Sequence, residues 1–182
     1  TFAKPVTVSQ GTLLVGGSLA SGSTVTVASG GTLGGTGNVN GLTVVQNGGT
    51  LAPGNFGIGT LTFGSTLALS GSTVMEISRN AGVRTNDVAT VSGILYLGGA
   101  LVVTNIGPDL LAAGDSFKLF NAGTWNGGFT NITLPPLATG LTWNTNLLNA
   151  SGKIAVSNLT YILTYTAGAN GAISGTSPQM GI

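Results

Sequence analysis

The tripeptide Gly-Thr-Leu returns at positions 11–13, 31–33, 49–51 and 59–61, and the first three copies stand 20 and 18 residues apart. Between them lie the short alternating runs Ser23-Thr24-Val25-Thr26-Val27 and Gly41-Leu42-Thr43-Val44-Val45, and after the last copy comes Ser65-Thr66-Leu67-Ala68-Leu69. Each unit reads as a strand of three to five residues followed by a corner holding Gly or Asn, the residues that accept positive φ most readily. A period near 20 with two or three such strands is what one coil of a β-helix requires. One coil cannot bury its own apolar side, so stability has to come from stacking neighbour on neighbour. At about 20 residues per coil, residues 1–157 predict a rod of roughly 35–40 Å.

Composition supports strands over helices. The 182 residues include 32 Gly, 26 Thr, 15 Ser and 15 Asn, all poor helix formers, and no stretch keeps apolar residues at helical spacing for three turns. Charged residues are 5% of the chain against roughly 25% in an ordinary soluble domain, so uncharged polar side chains must supply the solubility. The five basic residues, Lys4, Arg79, Arg84, Lys118 and Lys153, are scattered, which argues against nucleic acid or anionic lipid as a partner. No apolar run approaches the ~20 residues that span a bilayer. Lacking an initiating Met, the chain reads as a piece of a longer precursor.

After Pro108 the texture changes, with Phe117, Phe120, Trp125, Phe129 and Trp143 close together. The last coil of a stack exposes an apolar cross-section and bare backbone edges, and large side chains suit the covering of such an end. The expected fold is therefore all-β, a β-helix or β-solenoid over 1–157 with an aromatic-rich C-terminal cap. A C-terminal hairpin tail follows over 158–182.

The chemistry of known enzymes has little to work with here. There is no His and no Cys, which removes Ser–His and Cys–His nucleophiles and the usual zinc ligands. The only carboxylate side chains are Glu76, Asp87, Asp109 and Asp115. Glu76, Arg79, Arg84 and Asp87 fall within twelve residues and could form a saccharide or cation site, although a solvated loop with loosely paired charges is the plainer reading. The run Gly34-Gly35-Thr36-Gly37-Asn38-Val39-Asn40 imitates a calcium-binding nonapeptide but has Asn where Asp is needed. No catalytic residue, metal site or cofactor is expected. Trp125 and Trp143 are candidates for stacking on sugar rings, with packing over the end of the rod as the plainer alternative. Sequons at Asn131, Asn149 and Asn158 arise readily by chance in so Asn- and Thr-rich a chain.

The run Gly30-Gly31-Thr32-Leu33-Gly34-Gly35-Thr36-Gly37, then Gly48-Gly49-Thr50-Leu51-Ala52-Pro53-Gly54-Asn55 and Gly59-Thr60-Leu61-Thr62, resembles the autotransporter-associated β-strand repeat, also called the passenger-associated transport repeat. Asp115-Ser116-Phe117-Lys118-Leu119-Phe120, Phe129-Thr130-Asn131-Ile132-Thr133-Leu134-Pro135 and Gly140-Leu141-Thr142-Trp143 are similar to the closing segment of that module. The resemblance covers about residues 1–157 and implies a non-enzymatic β-helical passenger or stalk at the bacterial cell surface. Residues 161–175 resemble the opening hairpin of an immunoglobulin-like or Listeria–Bacteroides-type surface repeat. A lone hairpin is marginally stable in water, so this tail is expected to pair by strand addition with another copy and build a fibre. Tyr161, Leu163, Tyr165 and Ile173 are the candidate subunit contacts. The partners expected are thus a second copy of the chain and, under the alternative reading of an adhesin or carbohydrate-binding passenger, surface glycans.

Overall fold

A computed structural model describes residues 3–164, 166–169, 171–172 and 179–181. The chain is nearly all β, and its strands come in successive rungs. The first rung holds β1 (Val6–Val8), β2 (Gly11–Val15) and β3 (Ser18–Leu19). The second holds β4 (Val25–Val27), β5 (Gly31–Gly35) and β6 (Asn38–Val39), and the third β7 (Thr43–Val45), β8 (Thr50–Pro53) and β9 (Thr60–Phe63). Then come β10 (Leu67–Leu69), β11 (Ser72–Asn80), β12 (Val83–Asn86), β13 (Val88–Leu97) and β14 (Ala100–Asn105). The chain continues through β15 (Ser116–Lys118), β16 (Phe120–Gly127) and β17 (Asn131–Thr133). It closes with β18 (Leu141–Asn144), a single-turn α1 (Leu148–Ser151), β19 (Lys153–Asn158), β20 (Tyr161–Leu163) and β21 (Gln179–Gly181).

Strands of equivalent position pair in parallel from rung to rung. One sheet runs β2-β5-β8-β11-β14-β17. The other runs β1-β4-β7-β10-β13-β9-β6-β3, with β16 beside β13. It curls back on itself because β13 serves two ladders. Its first residues, Val88 to Val91, pair with β9, whereas Leu95 and Tyr96 pair with β10. β16 repeats this course one step further on.

The register explains the tripeptide. Leu13, Leu33, Leu51, Thr73, Leu101 and Ile132 fall in one column, and Thr12, Thr32, Thr50, Ser72, Ala100 and Asn131 in the next. Leu33, Leu51 and Leu101 are fully buried while Thr32 and Thr50 face outward and are half-buried, as the alternation of a strand demands. The Gly before each Thr sits at the corner where one rung's backbone lies on the next. A Cβ on Gly99, whose φ is +62°, would run into the carbonyl oxygen of Gly71, and one on Gly71 into that of Gly49. The repeat is thus a corner, an outward hydroxyl and an inward leucine. The fourth copy, Gly59-Thr60-Leu61, belongs to a different ladder, where Leu61 stacks on Ala89 and Phe120.

Two further columns complete the core: Val6, Val25, Thr43, Leu67, Leu95 and Trp125, and Leu19, Val39, Phe63, Val91 and Ala122. Six strands at about 4.8 Å make a stack about 24 Å tall, shorter than the 35–40 Å that the period predicts. The later rungs are longer because the β11–β12 hairpin and residues 106–119 are inserted between ladder strands. At the β16 end a three-stranded antiparallel sheet, β15-β19-β18, takes over. Phe117, Phe120, Leu148, Ile154 and Val156 are buried there, and the rings of Phe120 and Phe129 lie 5.7 Å apart. The carbonyl of Gly152, beyond α1, accepts the backbone N–H groups of Leu119 and Phe120, which ties the end of α1 to the start of β16.

Thr73 breaks the leucine column. It is fully buried, and its Oγ1 has no hydrogen-bond partner among the described residues. A buried hydroxyl without a partner costs about 1–3 kcal/mol, so the near-isosteric Thr73→Val should stabilise the protein by about 1–2 kcal/mol. Calorimetry should show Tm rising by roughly 3–6 °C; a fall would mean that the hydroxyl is bonded.

Candidate functional site

Strand β11 carries the outward side chains Val74 and Glu76 between the inward Met75 and Ile77. It turns back through Ala81 and Gly82, at φ +48° and +79°, into β12, so that Ile77 faces Asn86 and Arg79 faces Arg84. Two successive positive φ values are what a tight hairpin turn with the right twist needs. The hairpin brings Asp87 back beside Glu76.

Asp87 is 1% exposed. Its Oδ1 accepts the Gly59 N–H at 2.8 Å and its Oδ2 accepts the Glu76 N–H at 2.7 Å, which ties the end of the 54–59 loop to the hairpin. Asn86 Nδ2 donates to the carbonyls of Asp87 and Lys118, at 2.7 and 2.8 Å. Burial raises the Asp87 carboxyl from 3.8 to about 6; the two backbone N–H donors oppose this, and the charge of Glu76 adds to it.

The two arginines face another carboxylate. Asp115, 2% exposed, lies 3.1 Å from Arg84 Nη1 and 3.3 Å from Arg79 Nε, and it also accepts the Ala112 N–H. The Arg79 contact is close enough for ion pairing but is not aligned as a hydrogen bond. Two like charges directly opposite each other on paired strands repel, and Asp115 relieves that. The four neighbouring charges therefore divide: residues 81–85 are exposed, as in a solvated loop, while both arginines meet the buried Asp115. The arginines are held by Asp115, and the two acids are left together.

Glu76 and Asp87 close one end of a cavity of about 220 Å³ on the outward side of the β2-β5-β8-β11 sheet. Its floor carries Thr12, Leu14, Thr32, Ala52 and Val74, and its wall is the loop bearing Phe56. Gly35 and Gly54 exchange backbone hydrogen bonds at the base of this loop, with Gly35 at φ +111° against the backbone of Val15. Phe56 itself has φ +58° and a side chain 90% exposed. Left-handed backbone costs a residue with a Cβ about 1–2 kcal/mol.

Glu76 and Asp87 are among the residues that the sequence singles out, and the others lie elsewhere. Trp125 ends the Val6–Leu95 column, and Trp143 stands on β18 with its Nε1 donating to the Pro135 carbonyl at 2.8 Å. Both are half-buried and pack against the core, which fits a covering role. The Gly34–Asn40 run forms a corner in which Thr36 and Gly37 both donate to the Val15 carbonyl. Close backbone approach accounts for its glycines. Among the described residues no group of three or more His, Cys, Asp or Glu side chains could hold a metal ion. Tyr161 is exposed and pairs with Gly181, and Leu163 pairs with Gln179, in a separate two-stranded sheet. Tyr165 and Ile173 lie outside the described residues. No helix among the described residues is long and apolar enough to cross a membrane.

Comparison with protein-family models and with curated proteins gives no match.

The raised Asp87 carboxyl makes stability depend on pH. Unfolded, the group titrates near 3.8; folded, near 6. Between these values the folded state binds more protons than the unfolded one, so stability falls as pH rises from about 4 to about 6. The rise from 3.8 to about 6 sets a ceiling of about 3 kcal/mol, and a loss of about 1–3 kcal/mol is expected. Urea titrations across this range should show the slope, and Asp87→Asn should flatten it.

Proposed function

We propose that this chain is a β-solenoid of the autotransporter passenger type, a non-enzymatic spacer or fibre subunit at a bacterial surface. The observation that carries this reading is the continuity of the parallel columns. The same corner, outward and inward positions recur from rung to rung, and the rungs are held by backbone hydrogen bonds without disulfides. Such a stack holds its shape through neighbour-on-neighbour contact, which suits a part whose task is to keep a distance. The antiparallel sheet and its aromatic side chains act as the cap of this solenoid. In this reading residues 158–182 join copies by strand addition, because a two-stranded sheet by itself offers free edges and little burial.

Negative-stain imaging of the purified chain tests the proposal. Linear filaments are the expected result, and discrete particles at all concentrations would remove the fibre and leave a stalk. A substrate turned over by the isolated chain would overturn the structural role itself. The packing of Trp125 and Trp143 against the core supports their place in the cap over a sugar platform. On a glycan array, Trp125→Ala and Trp143→Ala are therefore expected to change no binding signal.

A further inference from the structure

The cavity above β2, β5, β8 and β11 has a charge imbalance that nothing in the scaffold relieves. No basic side chain lines it. The two arginines nearest in sequence are held by Asp115, and Lys118 Nζ is held by Asn121 Oδ1 at 2.8 Å. The Glu76 carboxylate makes no hydrogen bond or ion pair with any described residue, and its Oε2 is shut off from solvent without a partner. A buried polar atom left unsatisfied in a native structure calls for an explanation, and a bound group is one. Asp87, though it accepts two backbone N–H groups, keeps lone pairs free, since each carboxylate oxygen accepts more than one donor. On the wall of the same cavity the Phe56 ring is 90% exposed.

These features select among ligand classes. An anion is repelled by two carboxylates. A neutral sugar would offer hydroxyl donors but leave the charge uncompensated. A cavity of about 220 Å³ is also below the roughly 300–1,000 Å³ of sites that enclose drug-sized ligands, which favours a single small group over an oligosaccharide. Calcium takes six to eight oxygen ligands, usually several of them carboxylate, and only two carboxylates are present. An ammonium group satisfies each feature at once. Its three N–H donors match the free carboxylate lone pairs, its charge offsets theirs, and its alkyl stem and positive edge suit an aromatic face.

We propose that the cavity bounded by Phe56, Glu76 and Asp87 binds the primary ammonium group of a small organic cation. The outward Thr12 and Thr32 hydroxyls line the floor along which the rest of the ligand lies. A lysine side chain and an amino sugar both carry this group. The site stands whether or not copies of the chain assemble into fibres.

Amide chemical-shift titration of the full chain at neutral pH tests it, with n-butylammonium, Nα-acetyl-lysine amide and glucosamine as probes. Saturable shifts are expected at Phe56, Glu76 and Asp87 with at least one probe, and stronger binding by the lysine derivative or by glucosamine identifies the source. n-Butanol, the uncharged analogue, should bind at least tenfold more weakly, and Glu76→Gln should weaken the ammonium probe roughly tenfold. The Glu76 side chain has no partner to lose, so this variant should keep its fold, checked by circular dichroism. Phe56→Ala should weaken binding several-fold, and Trp143→Phe, far from the cavity, should leave it unchanged. The proposal is overturned if no probe gives saturable shifts at these residues, if butanol binds as well as butylammonium, or if folded Glu76→Gln binds with unchanged affinity. Calcium shifting the same amides and excluding butylammonium would equally replace it with a metal site.

Discussion

Gly99→Val is expected to destabilise the protein by about 5 kcal/mol or more, enough to melt the later rungs at ambient temperature. Gly99 sits at the corner between two ladders with φ +62°, a conformation that a β-branched side chain adopts only with strain. Its new Cβ would overlap the Gly71 carbonyl oxygen beneath it, which is backbone and cannot swing aside. Moving the chain away would break the Ala100 N–H to Gly71 O bond of 3.0 Å. It would also disturb the bonds that Thr130 makes to the Gly99 carbonyl, 2.8 Å from its N–H and 2.7 Å from its Oγ1. The half-buried Ala100 N–H left unmatched adds about 1–3 kcal/mol, whereas water can replace the bonds of the exposed Thr130, so most of the cost is backbone overlap and strain. Domains of this size are stable by about 5–15 kcal/mol, so the loss approaches the whole. Circular dichroism with urea unfolding should show a collapsed midpoint or a transition split between early and late rungs. A variant with an unaltered midpoint would mean that the corner has slack that the backbone contacts deny.

Asp87→Ala should have the second-largest effect, about 2–5 kcal/mol at pH 5. Truncation leaves the Gly59 and Glu76 N–H groups without their acceptor, and each such donor costs about 1–3 kcal/mol. The cost should shrink at pH 8, because there the native protein already bears a desolvated charge at this position and the variant is spared it. Asp87→Asn does not rescue the contact. An amide presents one oxygen, and its NH₂ would meet the other backbone N–H. Unfolding by urea at the two pH values measures the difference, and an equal cost at both would contradict a raised Asp87 carboxyl.

Much of the ladder was legible because Gly-Thr-Leu encodes three geometric roles in three residues. The spacing of 20 and 18 holds only while each rung has three strands and short corners. It fails after Thr73, where the hairpin and then the 106–119 segment intervene before Leu101 and Ile132, and the tripeptide at 59–61 serves another ladder. Nothing local to Gly59-Thr60-Leu61 announces this, since an outward Thr and an inward Leu suit either sheet. The overestimated height has the same origin. The candidate site was half legible. Glu76 and Asp87 stand out among so few charges, and a hairpin between them places them together. What separates them from Arg79 and Arg84 is Asp115, some thirty residues on, and only the folded chain brings it there. Phe56 gave one weak signal, a large apolar side chain in a run of Gly and Asn. The two tryptophans drew attention as binding residues through their size, and that same size makes them suitable for closing the stack.

The two ends of the stack are unlike. Among the described residues β1, β2 and β3 have no strand on their outer side, whereas α1 and the antiparallel sheet stand over β16. At the β16 end parallel pairing gives way to the antiparallel β15-β19-β18 sheet, so the course of the backbone changes there. Thr12 and Leu14 of β2 line the acidic cavity, so the cavity reaches the outermost described strand of its sheet. Framework and recess are therefore one piece: the ladder strands that build the stack also floor the cavity that the 54–59 loop and the hairpin bound.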